Sequence, residues 1–349
     1  MGDMGPDWQD ARMLGPHIVA LAGGIGGARF LRGLLDAVQR RWPERSPNIT
    51  VIGNTGDDCW VHGLRICPDL DTVMYTLGGG ISAERGWGRE GETFTILEEL
   101  RAYGVEPTWF GLGDRDVATH LIRTQSLAAG YTLSEVTAAL CARWQPGVTL
   151  IPMSDDRAET HVVVDDPTGA CDERGDPLRI AMHFQEWWIR YRASLPAHEF
   201  RIVGIDEAKP APAVIPAIES ADLIVLPPSN PVVSIGTILQ VPGIAGALRN
   251  ARASIVGVSP IIAGAPVRGM ADACLTALGI ETTALAVAQH YGARSHGGLL
   301  DAWLIDTTDR DNAANVSAMD IGCVSRPLLM SDVPATAAMA AAALDAGGL

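Results

Sequence analysis

The amino-acid sequence predicts an α/β protein: a doubly wound, mainly parallel sheet carrying an inserted lobe that is part helical and part β-meander. Three observations carry that expectation. Short, wholly apolar runs bounded by turn residues, such as HIVALA (17–22) and ADLIVL (221–226), read as strands buried on both faces. A glycine cluster, Gly23 to Gly27, turns the first of these into a stretch where Phe30, Leu31, Leu34, Leu35 and Val38 recur at helical spacing, and a second strand, Ile49–Gly53, follows. Strand, turn, helix, strand is a βαβ unit with a right-handed crossover. Finally, 47% of the 349 residues are hydrophobic, enough for a large core, and no internal repeat or long polar linker divides the chain.

Taken in order, residues 1–16 are acidic and lack an apolar run, so they are expected to be a disordered leader rather than a signal peptide. Residues 17–349 are expected to form a single domain with the inserted lobe at about 85–206. From Thr93 to Trp144 the pattern is helical, with Thr132 or Ser134 as caps and breaks at Gly104, Gly130 and Pro146-Gly147. From Ile151 to Asp206 the segments THVVVDDPTG, PLRIAMHF and EFRIVGID alternate with turn residues, as a meander or hairpin insertion would. Parallel-type strands return at Ala221–Leu226, Ser254–Ile262 and Leu300–Ile305, and the Ala-rich stretch Ala335–Ala343 reads as a short helix.

Composition narrows the function. A net charge of −15 with no basic stripe argues against a nucleic-acid partner and against anionic membranes. No apolar run reaches membrane-spanning length. Six scattered cysteines without a C-x-x-C pair fit reduced thiols in a cytoplasmic protein better than a disulfide framework. Lys209 is the sole lysine, which excludes chemistry built on a phosphate-loop or Schiff-base lysine unless Lys209 supplies it.

Five stretches have the residue types that chemistry needs. AGGIGGARF (22–30) offers backbone N–H groups to a phosphate at a helix N-terminus. Its spacing is not G-x-G-x-x-G, because Arg29 stands in the last glycine's place, and a tight turn closing strand on helix is the plain alternative. Arg29, expected in the first helical turn, would work against the dipole there unless an anion faces it. Next, NTGDD and PDLDT bring Asp57, Asp58, Asp69 and Asp71 to the end of a strand. Two carboxylates completed by water and substrate oxygens suit Mg²⁺. Solvated turn aspartates are the alternative, and Cys59, His62 and Cys67 match no zinc spacing. PDLDT is expected to be irregular or extended, so that only one of Asp69 and Asp71 joins Asp57 or Asp58.

In GLGDRDVATHLIR (111–123), Asp114 would cap a helix whose one face carries Asp116, His120 and Arg123, either to bind a polyol or carboxylate or as an exposed salt-bridged face. LPPSNPVVSIGTIL (226–239) is a stiffened strand-to-helix loop in which Asn230, held extended before Pro231, could read a base edge; a plain turn competes. Trp87 in RGWGRE could stack on a planar ring, whereas Trp187, Trp188 and Tyr191 read as core or subunit interface.

Together GGIGGARFLRGL, NTGDD, PDLDTVMYTL, WFGLGDRDVATHLIR, IPMSDDRAETHV, HFQEWWIRYR, PSNPVVSIG and SPIIAGAPVRGMA resemble the 2-phospho-L-lactate transferase family, CofD and its actinobacterial form FbiA, from about Ile18 to the C-terminus. The resemblance implies a Rossmann-like fold, a homodimer and a Mg²⁺-dependent step in coenzyme F-420 biosynthesis, with Mn²⁺ or Ca²⁺ able to substitute. A phospho-three-carbon acid, enolpyruvyl in the actinobacterial branch and lactyl in archaea, passes from a guanosine diphosphate conjugate to the ribityl hydroxyl of the deazaflavin Fo, and GMP leaves. By motif position Asp57 and Asp69 would hold the metal. Of the other acids counted as catalytic, Asp58 or Asp71 could accept the attacking hydroxyl's proton, with orientation of the metal ligands as the other role open to Asp58. Asp71, Trp87, Gly111, Asp114, Asp116 and His120 would face Fo. Gly23, Gly24, Gly26, Gly27, Arg29, Asn54, Ser229, Asn230 and Pro231 would serve the guanosine side. A nucleotide-sugar-binding regulator of the same fold and an NAD(P) oxidoreductase are the competing classes, the latter weakened by Arg29 and by the lack of a clear acid ending the second strand.

Overall fold

The computed structural model describes residues 14–349, so the expected leader lies outside the described residues except at 14–16, which already belong to the first strand. That strand, β1 (Leu14–Ala22), passes into α1 (Gly24–Arg41) and β2 (Ser46–Gly53), completing the βαβ unit. A small hairpin, β3 (Cys59–Val61) and β4 (Leu64–Ile66), leads to α2 (Pro68–Leu77). The helical stretch resolves into α3 (Thr95–Ala102), α4 (Asp114–Ala128) and α5 (Leu133–Trp144). Thr132 caps α5 through a reciprocal capping box with Glu135.

Strand β5 (Thr149–Pro152) pairs in parallel with β2 in the main sheet. The expected insert at about 85–206 is therefore split, because core chain passes through its middle. Beyond it, β6 (Glu159–Asp165), β7 (Arg179–His183) and β8 (Glu199–Val203) form an antiparallel sheet in the order β7-β6-β8. Of the two expected forms the hairpin holds, in β6 and β7; the third strand does not continue a meander, because β8 returns to the free edge of β6. Between β7 and β8, HFQEWWIRYR turns through a π-helical stretch, Glu186–Arg190.

The second half runs α6 (Val214–Ser220), β9 (Leu223–Leu226), α7 (Ile235–Gln240), α8 (Ile244–Asn250), β10 (Ser254–Val258) and a ribbon, β11 (Ile261–Ile262) with β12 (Ala265–Pro266). It closes with α9 (Ala271–Ala277), α10 (Ala284–Tyr291), β13 (Ala302–Ile305), α11 (Ala313–Ser317), β14 (Gly322–Ser325) and α12 (Val333–Gly347). The stretch read as a short helix at 335–343 thus extends to fifteen residues.

The seven strands of the main sheet are ordered β14-β13-β10-β9-β1-β2-β5, and every neighbouring pair is parallel. The chain winds outward from β1 in one direction and resumes at β9 in the other, so the switch of direction lies between these two strands. Loops diverge there and leave a crevice at the carboxyl ends, which is where open α/β sheets place their sites. Side chains along β1 alternate between two cores: Val19 and Leu21 face one, Ile18, Ala20 and Ala22 the other. Among the described residues no helix is long and apolar enough to cross a membrane.

On the second face α1 and α12 lie against each other at Gly33, where a Cβ would come within 2.5 Å of the Thr336 backbone carbon. Backbone on that side leaves little room to move. Gly33→Val is expected to lower stability by about 1–3 kcal/mol, read as an earlier thermal transition than that of Gly246→Val at an open position.

Candidate active site

A cleft of about 720 Å³ opens where the strand order reverses. Its floor explains the glycine cluster. Gly23 is the extended N-cap of α1, and a Cβ there would lie 2.5 Å from Asp69 Oδ2 and 2.7 Å from Ser234 Cβ. At Gly26 it would meet the Pro228 carbonyl oxygen at 2.4 Å, and at Gly27 the Ser229 Oγ at 2.5 Å. Gly24, at φ +64°, starts the helix in the left-handed region. Because the helix begins this early, Arg29 falls in its second turn rather than its first, with its side chain exposed along the cleft. Partial burial, then the charges of Arg268 and Arg32, hold its guanidinium below the ordinary value.

The loop after β9 is tied to that floor. The Ser229 hydroxyl donates to the Gly23 carbonyl at 2.8 Å and accepts the Gly23 N–H at 3.2 Å. The Asn230 side-chain oxygen accepts the N–H groups of Val232 and Val233 at 2.9 and 3.2 Å, so it closes its own turn rather than standing free for a base edge.

The acids divide among partners. Asn54, directly after β2, points its NH₂ group at Asp69 Oδ2 (2.8 Å), Asp57 Oδ1 (3.3 Å) and the Val233 carbonyl (3.2 Å). Its own oxygen accepts the Gly56 N–H at 2.9 Å, which fixes the amide's orientation. Gln185 reaches the other Asp57 oxygen at 3.4 Å. Burial, then repulsion from Asp69, pushes the Asp57 carboxyl well up, and burial pushes Asp69 up to about 6. PDLDT is helical, with Pro68 opening α2, not irregular as expected. Two helical steps still turn a side chain through roughly 200°, so Asp69 alone joins Asp57.

Asp71 turns instead to α4, where both its oxygens accept from the buried Arg123 guanidinium. His120 stands between, its Nδ1 3.7 Å from Asp71 and its Nε2 3.5 Å from Asp116, which accepts the Tyr75 hydroxyl at 2.6 Å. The face formed by Asp116, His120 and Arg123 is therefore inward, not a solvated stripe. Asp58 lies fully buried behind the wall, 3.2 Å from Arg65, and cannot reach a substrate in the cleft.

Part of the cleft's wall is aromatic. Residues 80–90 form a hairpin-like loop, with Ile81 bridged to Arg89 and Ser82 N–H bonded to the Gly88 carbonyl, and Trp87 sits at its tip. A Cβ at Gly111 would come within 3.2 Å of the Trp87 ring. Trp109, Phe110 and Trp188 complete this wall, with Trp188 facing the cleft while Trp187 is buried and donates to the Leu195 carbonyl at 2.8 Å.

Of the expected site residues, Gly23, Gly24, Gly26, Arg29, Asp57, Asp69, Asp71, Trp87, Gly111, Asp116, His120, Ser229 and Asn230 line this one cleft. Gly27, Asn54, Asp58, Pro231 and Asp114 do not. Asp114 neither caps α4 nor faces the cleft: it accepts the Thr95 and Ile96 N–H groups and caps α3, while Glu92 receives the N–H groups that open α4. Gln185, Trp188, Tyr75, Ser234 and Arg268 were missed. Gln185 and Trp188 adjoin a buried tryptophan in sequence, and Arg268 follows a two-strand ribbon with no site signature of its own.

Two buried carboxylates held side by side, with hard oxygens and raised proton affinity, fit a divalent cation. Among the described residues no group of three or more His, Cys, Asp or Glu side chains gathers as a metal cage. A cation on Asp57 and Asp69 would complete its shell with water and substrate oxygens.

The family model described as 2-phospho-L-lactate transferase CofD matches residues 18–325. The phosphoenolpyruvate transferase of Nocardia farcinica is 60% identical over 96% of each chain. That of Thermobifida fusca is 62% identical over 94% of this chain and 97% of its own, and that of Mycolicibacterium smegmatis 56% over 95% and 99%. A solved structure of a UPF0052 family member from Bacillus halodurans superposes with a TM-score of 0.60 at 17% identity, covering 95% of this chain and 99% of that one, a likeness of fold.

Asp69 carries a pH dependence of stability. Its folded-state carboxyl titrates near 6, against roughly 3.9 unfolded. The protonated form's stabilisation is fully present below about pH 4 and is lost as pH rises through about 6. In metal-free buffer Asp69→Asn is expected to be more stable than wild type at pH 7.5, by about 1–3 kcal/mol, with the gain vanishing near pH 4. Urea denaturation at both pH values checks this; an equal loss at both would show that the acid is not strained by its burial.

Proposed function

The chain belongs to the 2-phospho-L-lactate transferase CofD family, and from that premise we propose that it transfers a phosphoenolpyruvyl group from a guanosine diphosphate conjugate to the terminal ribityl hydroxyl of the deazaflavin Fo, releasing GMP in a step of coenzyme F-420 biosynthesis. The enolpyruvyl donor is favoured over the lactyl one by relatives at 56–62% identity that are named phosphoenolpyruvate transferases. The observation that carries the reading is the cleft's mixed lining, which joins Gly23, Arg29, Arg268 and the Asp57–Asp69 pair with Trp87, Trp109, Phe110 and Trp188. A charged diphosphate suits the first set and a planar ring the second, and Arg268, held by the Arg85 carbonyl beside Trp87, lies where the two meet.

In the reaction the ribityl oxygen bonds to the phosphorus that bears the three-carbon acid, the bond from that phosphorus to the GMP oxygen breaks, and the hydroxyl proton goes to a base. Such transfers depend on positioning and charge neutralisation more than on a protein nucleophile. Ser229, bonded to the Gly23 N–H and carbonyl, fixes the start of α1, whose dipole would favour the diphosphate's charge there. Arg29 and Arg268 meet its negative oxygens. Asp71, fixed by Arg123 and flanked by His120, is the carboxylate placed to receive the proton; Asp58, behind the wall, orients Arg65 instead. Mg²⁺ held by Asp57 and Asp69, or Mn²⁺ or Ca²⁺ in its place, would neutralise charge on the diphosphate as the leaving group departs.

Asp57→Ala and Asp69→Ala are expected to lower turnover of Fo by about 10²–10³-fold or more while circular dichroism stays native. Wild-type turnover by both in Mg²⁺ would sink the metal assignment. Mass spectrometry of the product from Fo and each conjugate should show the enolpyruvyl adduct as the preferred one. A regulator of the same fold would bind the guanosine conjugate and yield no product.

A further inference from the structure

A second, smaller concavity of about 470 Å³ lies outside the catalytic cleft, where the end of α2 meets the base of the Trp87 loop and the last turn of α5. Arg89, Arg115 and Arg143 converge on it around Trp144 and the Gly78-Gly79-Gly80 turn. The glycines are dictated by packing: a Cβ at Gly80 would lie 2.2 Å from the Trp144 ring, one at Gly78 2.7 Å from its carbonyl, and Gly79 has φ +73°.

The arginines are held but not neutralised. Arg89 donates to the Arg115 carbonyl at 2.9 Å and Arg115 to the Glu90 carbonyl at 3.0 Å, so backbone oxygens fix both guanidinium groups. Arg89 and Arg143 stack on the Trp144 ring, at 5.0 and 4.9 Å from its centroid. None of the three pairs with a carboxylate among the described residues, where other arginines take Asp36, Asp58, Asp71, Glu159 and Asp301. Glu90, on the same rim, turns its carboxylate to the Ala83 N–H at 3.2 Å. Nor do the arginines serve the carbonyls ending α2: those of Met74 and Tyr75 already accept the N–H groups of Gly78, Gly80 and Ile81. Three like charges gathered in a protein of net charge −15, with acids to spare elsewhere, need another reason.

We propose that this concavity is an anion site for the phosphate group of a small ligand, separate from the donor's place in the catalytic cleft. Planar guanidinium groups fixed by backbone oxygens present paired N–H donors, the geometry that phosphate oxygens take. The cation–π stacking on Trp144 keeps Arg89 and Arg143 in place before the ligand arrives, which lowers the ordering cost of binding.

Inorganic pyrophosphate, titrated calorimetrically into the intact metal-free protein, tests this. Two binding events are expected in wild type, one in each concavity. Arg143→Gln, at an exposed helical position, and Arg89→Gln should each weaken one event at least tenfold. Arg268→Gln in the catalytic cleft should leave that event in place and weaken the other. Transfer to Fo by Arg143→Gln, measured without pyrophosphate, should match wild type. The proposal fails if wild type shows a single event abolished by Arg268→Gln, or if both Arg143→Gln and Arg89→Gln titrate as wild type does. It fails equally if Arg143→Gln changes the mass measured by light scattering and leaves pyrophosphate binding intact, because the arginines would then serve a protein interface.

Discussion

The Asn54 amide is the contact on which this corner of the protein turns. Two carboxylates, Asp57 and Asp69, are brought together in a buried position where their charges repel, and the Asn54 NH₂ group is the donor they share. The amide can do this because its oxygen is fixed by the Gly56 N–H and its backbone N–H continues the sheet by bonding to the Ala22 carbonyl at 3.0 Å. Bringing Asp69 this near to β1 leaves no space for a side chain at Gly23. Glycine turn, asparagine and acidic helix are thus one steric and electrostatic solution, not three motifs that happen to meet.

The remaining two acids join the surrounding elements to that corner. Asp71 on α2 receives Arg123 from α4, and Asp58 receives Arg65, whose other amino group binds Glu159 on β6 at 3.1 Å. Buried ion pairs of this kind add little net stability, because desolvating both partners offsets most of their attraction. Breaking one by removing a single partner is costly, however, so each pair strongly disfavours arrangements in which the lobe elements sit elsewhere. Placement of the cleft's walls, more than stability, is what these pairs secure.

The parts of this arrangement that were legible in the sequence are those with a local cause. Apolar runs without polar interruption marked β1, β2, β9, β10 and β13, and the glycine cluster marked the turn into α1. What escaped depends on distant partners. Strand β14 reads GCVS, too short and too polar to declare itself, and becomes a strand by lying beside β13. Asp114 precedes a helical pattern and so reads as its cap, yet it bonds to the start of α3, eighteen and nineteen residues earlier in the chain. Trp187 and Trp188 cannot be told apart in sequence; a π-helical turn sends one to the core and the other to the cleft. The helical state of PDLDT had a local signal in Pro68, and the dense acids obscured it.

The sole lysine, Lys209, donates its backbone N–H to Asp156 and is absent from the cleft's lining, so on the proposed function phosphate charge would be met without an ammonium group. The cleft meets it with two like-charged sets. Burial opposes ionisation of both Asp57 and Asp69, and Asp57 is opposed further by the charge of Asp69, while Arg29 is disfavoured as a cation by burial and then by Arg268 and Arg32. Among the described residues neither Arg29 nor Arg268 pairs with a carboxylate; Arg268 is held by the Arg85 carbonyl at 2.8 Å. Each set is therefore strained alone and relieved by a ligand of opposite sign. On the proposed function, a diphosphate carrying a divalent cation would supply both signs at once, with Asp57 and Asp69 to hold the metal and Arg29 and Arg268 to meet the phosphate oxygens. Either component alone would relieve one repulsion and leave the other, so on the proposed function the donor would bind more tightly with its metal than without it.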